Sequence, residues 1–347
     1  MMKFEKKILD ELDHCYAVGS TVFDGERWLL FAAENDGPCY AYEEKTGRKV
    51  TVWEHPGGTM SIIQIPGTNG EFLAVQGFRS GFMAQNTSLA WVKPKKDGAW
   101  EVKTVLKHPF IHRFDILTAG GVNYLLICTL ATTKENKDDW SDPGKLWVGV
   151  LPADLEKEEI KISILEEGML KNHGYCRVDW EGKMAGLTTC AGGLFLVIPP
   201  QSAGGSWTVE KLIDRAISDV AAVDIDGDGQ LELATIEPFH GNQFVVNKKT
   251  ENGYEIVYRY PNIMDFGHVV WGGYLQGEPC FIGGNRRRNK ELFLVRGVKA
   301  EEPCFSTEMI DVGQGPSNIA VLNEGDKDVI LAANREIAQA ALYTVTK

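Results

Sequence analysis

Apolar runs of four to seven residues, broken by Gly, Asn, Asp and Pro, fill almost the whole chain. Runs of that length between turn residues predict β-strands, because a helix needs a 3.6-residue period over ten or more positions. Helical patterning is confined to the first dozen residues and to the segment from Asn334 to Leu342, each long enough for one short helix.

The runs recur in a fixed order. A first run opens a unit, a glycine or polar turn follows, then a second run, a polar loop, a third run and a fourth. On this pattern the chain divides into seven units, beginning at Tyr16, Met60, His112, His173, Asp219, His268 and Asn318. A repeat of roughly 45–60 residues with four strands is the period of a propeller blade. The expected fold is therefore all-β: a seven-bladed β-propeller with four-stranded blades, one domain over residues 1–347. The last unit stops after its third run, LYTVTK. Segment 4–12 is expected to supply the missing outer strand and close the ring, which removes a sheet edge. Two β-sandwich domains are the rival architecture, but nothing in mid-chain reads as a linker.

Composition narrows the partners. The chain has 347 residues, 44% of them hydrophobic, and a formal net charge of −12. That field repels nucleic acid and anionic membranes. The one basic cluster, Arg286-Arg287-Arg288 with Lys290, could grip a phosphate or carboxylate or could stay a solvated loop. Seven cysteines occur without a CxxC pair, mostly inside apolar runs, as in a reduced cytoplasmic protein. The N-terminus is charged from its third residue and does not read as a secretory signal. The longest apolar run, Tyr124 to Ala131, is too short to cross a bilayer. Nothing in the sequence sets the oligomeric state.

One turn carries clear chemistry. VDIDGDGQLE places Asp224, Asp226, Asp228 and Glu232 at positions 1, 3, 5 and 9 of a tight loop, with glycines between. Alternate oxygens around a sharp turn suit calcium, or else magnesium, and the alternative is an ion-free polar turn. The loop joins the first and second runs of its unit, so its expected role is to stiffen a blade. DVAAVDIDGDGQLELA resembles an FG-GAP or VCBS-type propeller repeat. That resemblance implies a fold shared by adhesion proteins, lectins and polysaccharide lyases, and no particular activity.

In a propeller the inner strands line the axis, and the loops entering them crowd one face. His112, His173 and His268 fall at the starts of first runs in three units. The loop after a second run returns to the same face, and there lies His240 of EPFHGN, three residues after Glu237. Four imidazoles in register suit zinc, with manganese as another choice; the alternative is four unrelated polar lining residues. Arg79, Arg286 and Arg335 are expected on the same face, where they could hold anionic oxygens. IEPFHGN with the blade-start histidines resembles the propeller of the aldos-2-ulose dehydratase family, which acts on 1,5-anhydro-fructose and related keto-sugars. The resemblance covers the propeller and not the cupin domains found with it there. It implies a funnel zinc on His112, His173, His240 and His268, and a structural ion on Asp224, Asp226, Asp228 and Glu232.

The expected activity is a metal-dependent lyase or dehydratase. It would work by β-elimination on a small keto-sugar or oxidised glycoside in the axial funnel. A histidine free of metal, such as His173, or Glu237 would be the base. A non-catalytic carbohydrate- or protein-binding propeller with structural calcium is the alternative. A polysaccharide lyase fits less well with a cytoplasmic chain.

Overall fold

The computed structural model describes residues 2–298 and 304–347. Strands β1 to β28 form seven antiparallel sheets of four, six of them meanders of consecutive strands. The sheets cover residues 15–53, 62–107, 111–169, 175–213, 219–259, 267–298 with 304–311, and 318–346 with 3–11. The last sheet takes its fourth strand from β1 (Lys3–Glu11), which pairs with β28 (Gln339–Thr346). The ring is thus closed by both ends of the chain, as the truncated seventh unit predicts. Neither suspected helix forms. Residues 3–11 alternate between exposed and half-buried positions, as a strand does, and 335–337 make only one 3-10 turn before β28 begins.

The first strand of each blade is innermost, and at six of the seven junctions between blades it meets the first strand of its neighbour. These inner strands are β2 (Cys15–Phe23), β6 (Ile62–Gln64), β10 (Ile111–Ala119), β14 (Tyr175–Trp180), β18 (Asp219–Val223), β22 (Gly267–Leu275) and β26 (Asn318–Asn323). Second strands such as β19 (Glu232–Glu237) and β27 (Asp328–Asn334) are buried along their whole length. The core lies between adjacent blades. Phe244 and Phe293, both fully buried, pack edge-to-face from neighbouring blades with ring centroids 5.2 Å apart. Gly283 makes this possible: a Cβ there would stand 2.3 Å from the Phe293 ring. Burying one such ring is worth about 2–3 kcal/mol. No helix among the described residues is long and apolar enough to cross a membrane.

Candidate functional site

A β-bulge sits at the start of several inner strands, and it sets the site. In β2, β10 and β22 the ladder skips one residue, and the residues skipped are Tyr16, His112 and His268. Just ahead of β14, His173 and Gly174 both bond to Thr189, which puts His173 in the same place. A bulge turns its extra side chain away from the regular pleat. Here it turns these rings towards the axis.

Each bulge histidine is tied to the next blade by its Nδ1. His112 Nδ1 lies 3.1 Å from the carbonyl oxygen of His173, and His173 Nδ1 lies 3.2 Å from that of Ser218. His268 Nδ1 bonds to the carbonyl oxygen of Ser317. A carbonyl can only accept, so Nδ1 carries the proton in all three and Nε2 keeps a lone pair. His240 reaches the group from the loop after β19. Its backbone N–H donates to Ser218 Oγ at 3.0 Å, and its φ is 46°. One ring nitrogen each from His173, His240 and His268 fall within 4.8 Å of one another. His112 stands beside this trio, its ring centroid 4.2 Å from that of His173.

The donor set fits a transition ion. The three imidazoles converge, and those of His173 and His268 are oriented by backbone carbonyls, the usual outer support of a metal-bound histidine. Burial first, then neighbouring imidazoles and cations, hold all four histidines below the ordinary range, His173 at about 3. They are neutral at pH 7, as ligands must be. Tyr16 donates its hydroxyl to His268 Nε2 at 3.1 Å, and burial raises its pKa to about 12.

Above the trio lies an aromatic cover. His240 is stacked between Phe239 and Phe266, each 4.3 Å away by ring centroid. Phe82 stacks more loosely at 5.7 Å, and Trp140 closes on Phe82 and Phe239. Below the trio runs an axial channel of about 590 Å³, whose wall includes Arg113, Asp115, Tyr175, Asp219, His268 and Asn318. Arg113 spans the axis, donating to the Met60 carbonyl at 2.6 Å and to Asn318 Oδ1 at 2.9 Å. Asp115 is held by Arg177 and by the Tyr175 hydroxyl at 2.8 Å. Asp219 is buried and accepts only backbone N–H groups; burial, opposed by Arg113, raises its pKa to about 6.

The loop residues expected to act here are mostly engaged elsewhere. Glu237 receives two hydrogen bonds of 2.9 Å from Arg215 and one of 2.6 Å from Thr235. Arg286 binds Glu336 at 2.7 and 2.8 Å, while Arg335 bridges Glu34 and Glu336. Arg79 is exposed. Arg113 and Asp219 were not among the expected residues. Arg113 follows a blade-start histidine and Asp219 opens a unit, so their places on the inner strand were the available signal.

The aspartate loop lies apart, between β18 and β19. Asp224 accepts backbone N–H groups from Gly227, Asp228 and Gly229 at 2.7–3.1 Å. Asp224, Asp226 and Glu232 bring oxygens within 4.8 Å of one another, a set that fits calcium. Lys248, from β20 (Gln243–Thr250), extends its ammonium to Asp226, to Asp228 at 2.8 Å and to Glu232 at 3.2 Å. Burial works against that charge, but the three carboxylates outweigh it and raise its pKa.

No family model matches the chain, and no curated protein matches it in sequence. Solved propellers do match in fold. A PQQ-bound aldose sugar dehydrogenase from Streptomyces coelicolor aligns at a TM-score of 0.51 and 14% identity, over 99% of this chain and 98% of that one. A Bacteroides fragilis protein provisionally described as a 6-phosphogluconolactonase gives 0.57 and 10%, over 89% and 88%. Saccharomyces cerevisiae Sqt1 gives 0.57 and 9%, over 99% and 97%. The likeness is one of fold, and the count of seven blades rests on this chain's own sheets.

Proposed function

We propose that the chain is a metal-dependent carbon–oxygen lyase acting by β-elimination on a keto-sugar or oxidised glycoside at the axis of the ring. The convergence of three neutral imidazoles, from His173, His240 and His268, carries this reading. The sugar dehydrogenase and the lactonase-like propeller favour carbohydrate chemistry. So does the resemblance of IEPFHGN to the aldos-2-ulose dehydratase family. The three histidines would hold zinc, or manganese. When bound, such an ion supplies Lewis acidity that acidifies a C–H beside a ketone.

The remaining work falls to side chains at the axis. Asp219 would take the proton from the carbon beside the ketone. The electron pair left behind becomes the new C=C bond, and the β C–O bond breaks. Tyr16, which keeps its proton at neutral pH, would give that proton to the leaving oxygen, which departs as water or an alcohol. Arg113 has no carboxylate within 4.0 Å among the described residues and would hold charge developing on the carbonyl oxygen. The step is redox-neutral and needs no co-reactant. A calcium or magnesium ion at Asp224, Asp226, Asp228 and Glu232 belongs to the proposal as a structural ion only.

The test is a set of oxidised and 1,5-anhydro keto-sugars given to zinc-loaded protein and followed by enone absorbance. The wild type should produce the chromophore, and Asp219→Asn should slow it about a hundredfold or more. Full zinc occupancy with no enone from any sugar would overturn the lyase. A non-catalytic sugar- or protein-binding propeller is the second reading. The pairing of Glu237, Arg286 and Arg335 within the fold favours it, because the loops then offer few free acids or bases.

A further inference from the structure

The wall of the axial channel changes character along its length. At the starts of the inner strands it is polar, with Ser61, Arg113, Asp219, His268 and Asn318. One residue further along the same strands come Ile62, Phe114, Val220, Val269 and Ile319, all apolar. Beyond them Ile63, Val270, Trp271 and Val321 carry the apolar wall on, and Asp115 is set into it as the ion pair with Arg177. Gln64 also lies there, but its Oε1 accepts the Val22 N–H at 3.2 Å. Large apolar side chains are exposed at the far ends of two of these strands, Val22 on β2 and Tyr274 on β22.

Size and charge say what fits. At about 590 Å³ the channel falls in the range of about 300–1,000 Å³ that suits a drug-sized ligand, more than one sugar ring needs. Its charged groups are Arg113 and Arg177 against Asp115 and Asp219, which cancel when all are ionised. A neutral ligand with a polar head and an apolar tail matches such a wall. The head belongs beside His268, where the hydrogen-bonding groups are. The other side of the histidine cluster is covered, because Phe239 and Phe266 stack on both faces of His240.

From this we infer that the site takes a neutral glycoside with an aromatic or other apolar aglycone, its sugar at the Arg113–Asp219–Asn318 end and its aglycone running down the channel. The inference rests on the lyase reading and deepens it: the group that leaves is the aglycone and not water. In a β-elimination the proton comes from the carbon between the ketone and the carbon that loses oxygen. With the glycosidic oxygen on C1, the proton leaves C2 and the ketone stands at C3. Asp219 takes the proton, the C1=C2 bond forms, the C1–O bond breaks, and the aglycone departs as a phenol or alcohol with the Tyr16 proton. No co-reactant is needed.

The test has two arms. The first is calorimetry with methyl β-D-glucoside and 4-nitrophenyl β-D-glucoside, neutral probes that carry no ketone and need no bound metal. The aryl glucoside should bind at least about tenfold more tightly, since its ring leaves water for the channel. Val321→Asp and Ile63→Asp each put a charge into the apolar stretch and should remove most of that advantage. Both positions are half-buried, and the melting temperature reports whether each variant is folded. Val102→Asp, exposed on the outermost strand β9 (Trp100–Lys107), should keep it. The second arm gives zinc-loaded protein the 3-keto form of the aryl glucoside and follows nitrophenol release. Equal affinity for the two glucosides, failure of both to bind, or an aryl advantage that survives both channel substitutions in folded protein overturns the inference. So does elimination of water from a free keto-sugar by protein that releases no nitrophenol. A channel-dependent aryl preference without elimination of any kind leaves the glycoside assignment standing and removes the lyase.

Discussion

His173 Nε2 and His240 Nε2 stand 2.9 Å apart. His173 has committed its other nitrogen to the Ser218 carbonyl, so its Nε2 is an acceptor. Without an ion His240 gives a proton to His173; with one, both lone pairs would turn to it. That ion would draw in His268 as well, once its Nε2 gives up the Tyr16 hydroxyl. We expect purified protein to carry about one zinc or manganese per chain, measured by elemental analysis. His173→Ala and His268→Ala should each weaken binding by at least about tenfold to a hundredfold, and a chelator should lower the melting temperature of the wild type only. Calcium as the only bound metal would rule the centre out.

Glu237, buried, and Arg215, about one-third exposed, form a two-pronged ion pair. Glu237→Gln leaves the guanidinium without its counter-charge and should cost about 1–2 kcal/mol of stability, read from denaturant unfolding. Turnover per folded molecule should hold. A collapse of kcat without loss of stability would return Glu237 to the chemistry.

Lys248 holds the carboxylates that a calcium ion would take. In calcium-free buffer Lys248→Met should lower the melting temperature, since Asp226, Asp228 and Glu232 are then left to repel one another. Added calcium should restore it, with an affinity at least about tenfold tighter than that of the wild type. If calcium stabilises both proteins equally, the ammonium does not stand in the ion's place.

His108 packs edge-on against Trp147 with centroids 4.4 Å apart, and its Nε2 is buried without a partner. Burial lowers its pKa. The unfolded chain therefore takes up a proton near pH ~6.5 where the folded chain does not. Its contribution is whole above that pH and is lost as the pH falls below it. His108→Phe should gain melting temperature relative to wild type at pH 5 and gain less at pH 8.

What the sequence determined by itself was the repeat. Alternating apolar runs and their turn residues are local signals, so the seven blades, the strand count and the closure by residues 3–11 were legible. So was the recurrence of histidine at blade starts, although the bulges that aim those rings were not. Residues 3–11 were ambiguous for a physical reason: a strand at the rim has one exposed face, and a short amphipathic segment can read as either element.

Only the tertiary structure decided who pairs with whom. Glu237 looked free until Arg215 met it, and Arg335 until Glu34, 301 positions away, did. Lys248 gave no sign that it would reach the aspartate loop. Arg113 and Asp219 look ordinary in the chain and become central because their strands face the axis. Periodicity fixes which way a side chain points relative to its own backbone. Its charge partner is set by distances between blades, and those exist only once the ring has closed.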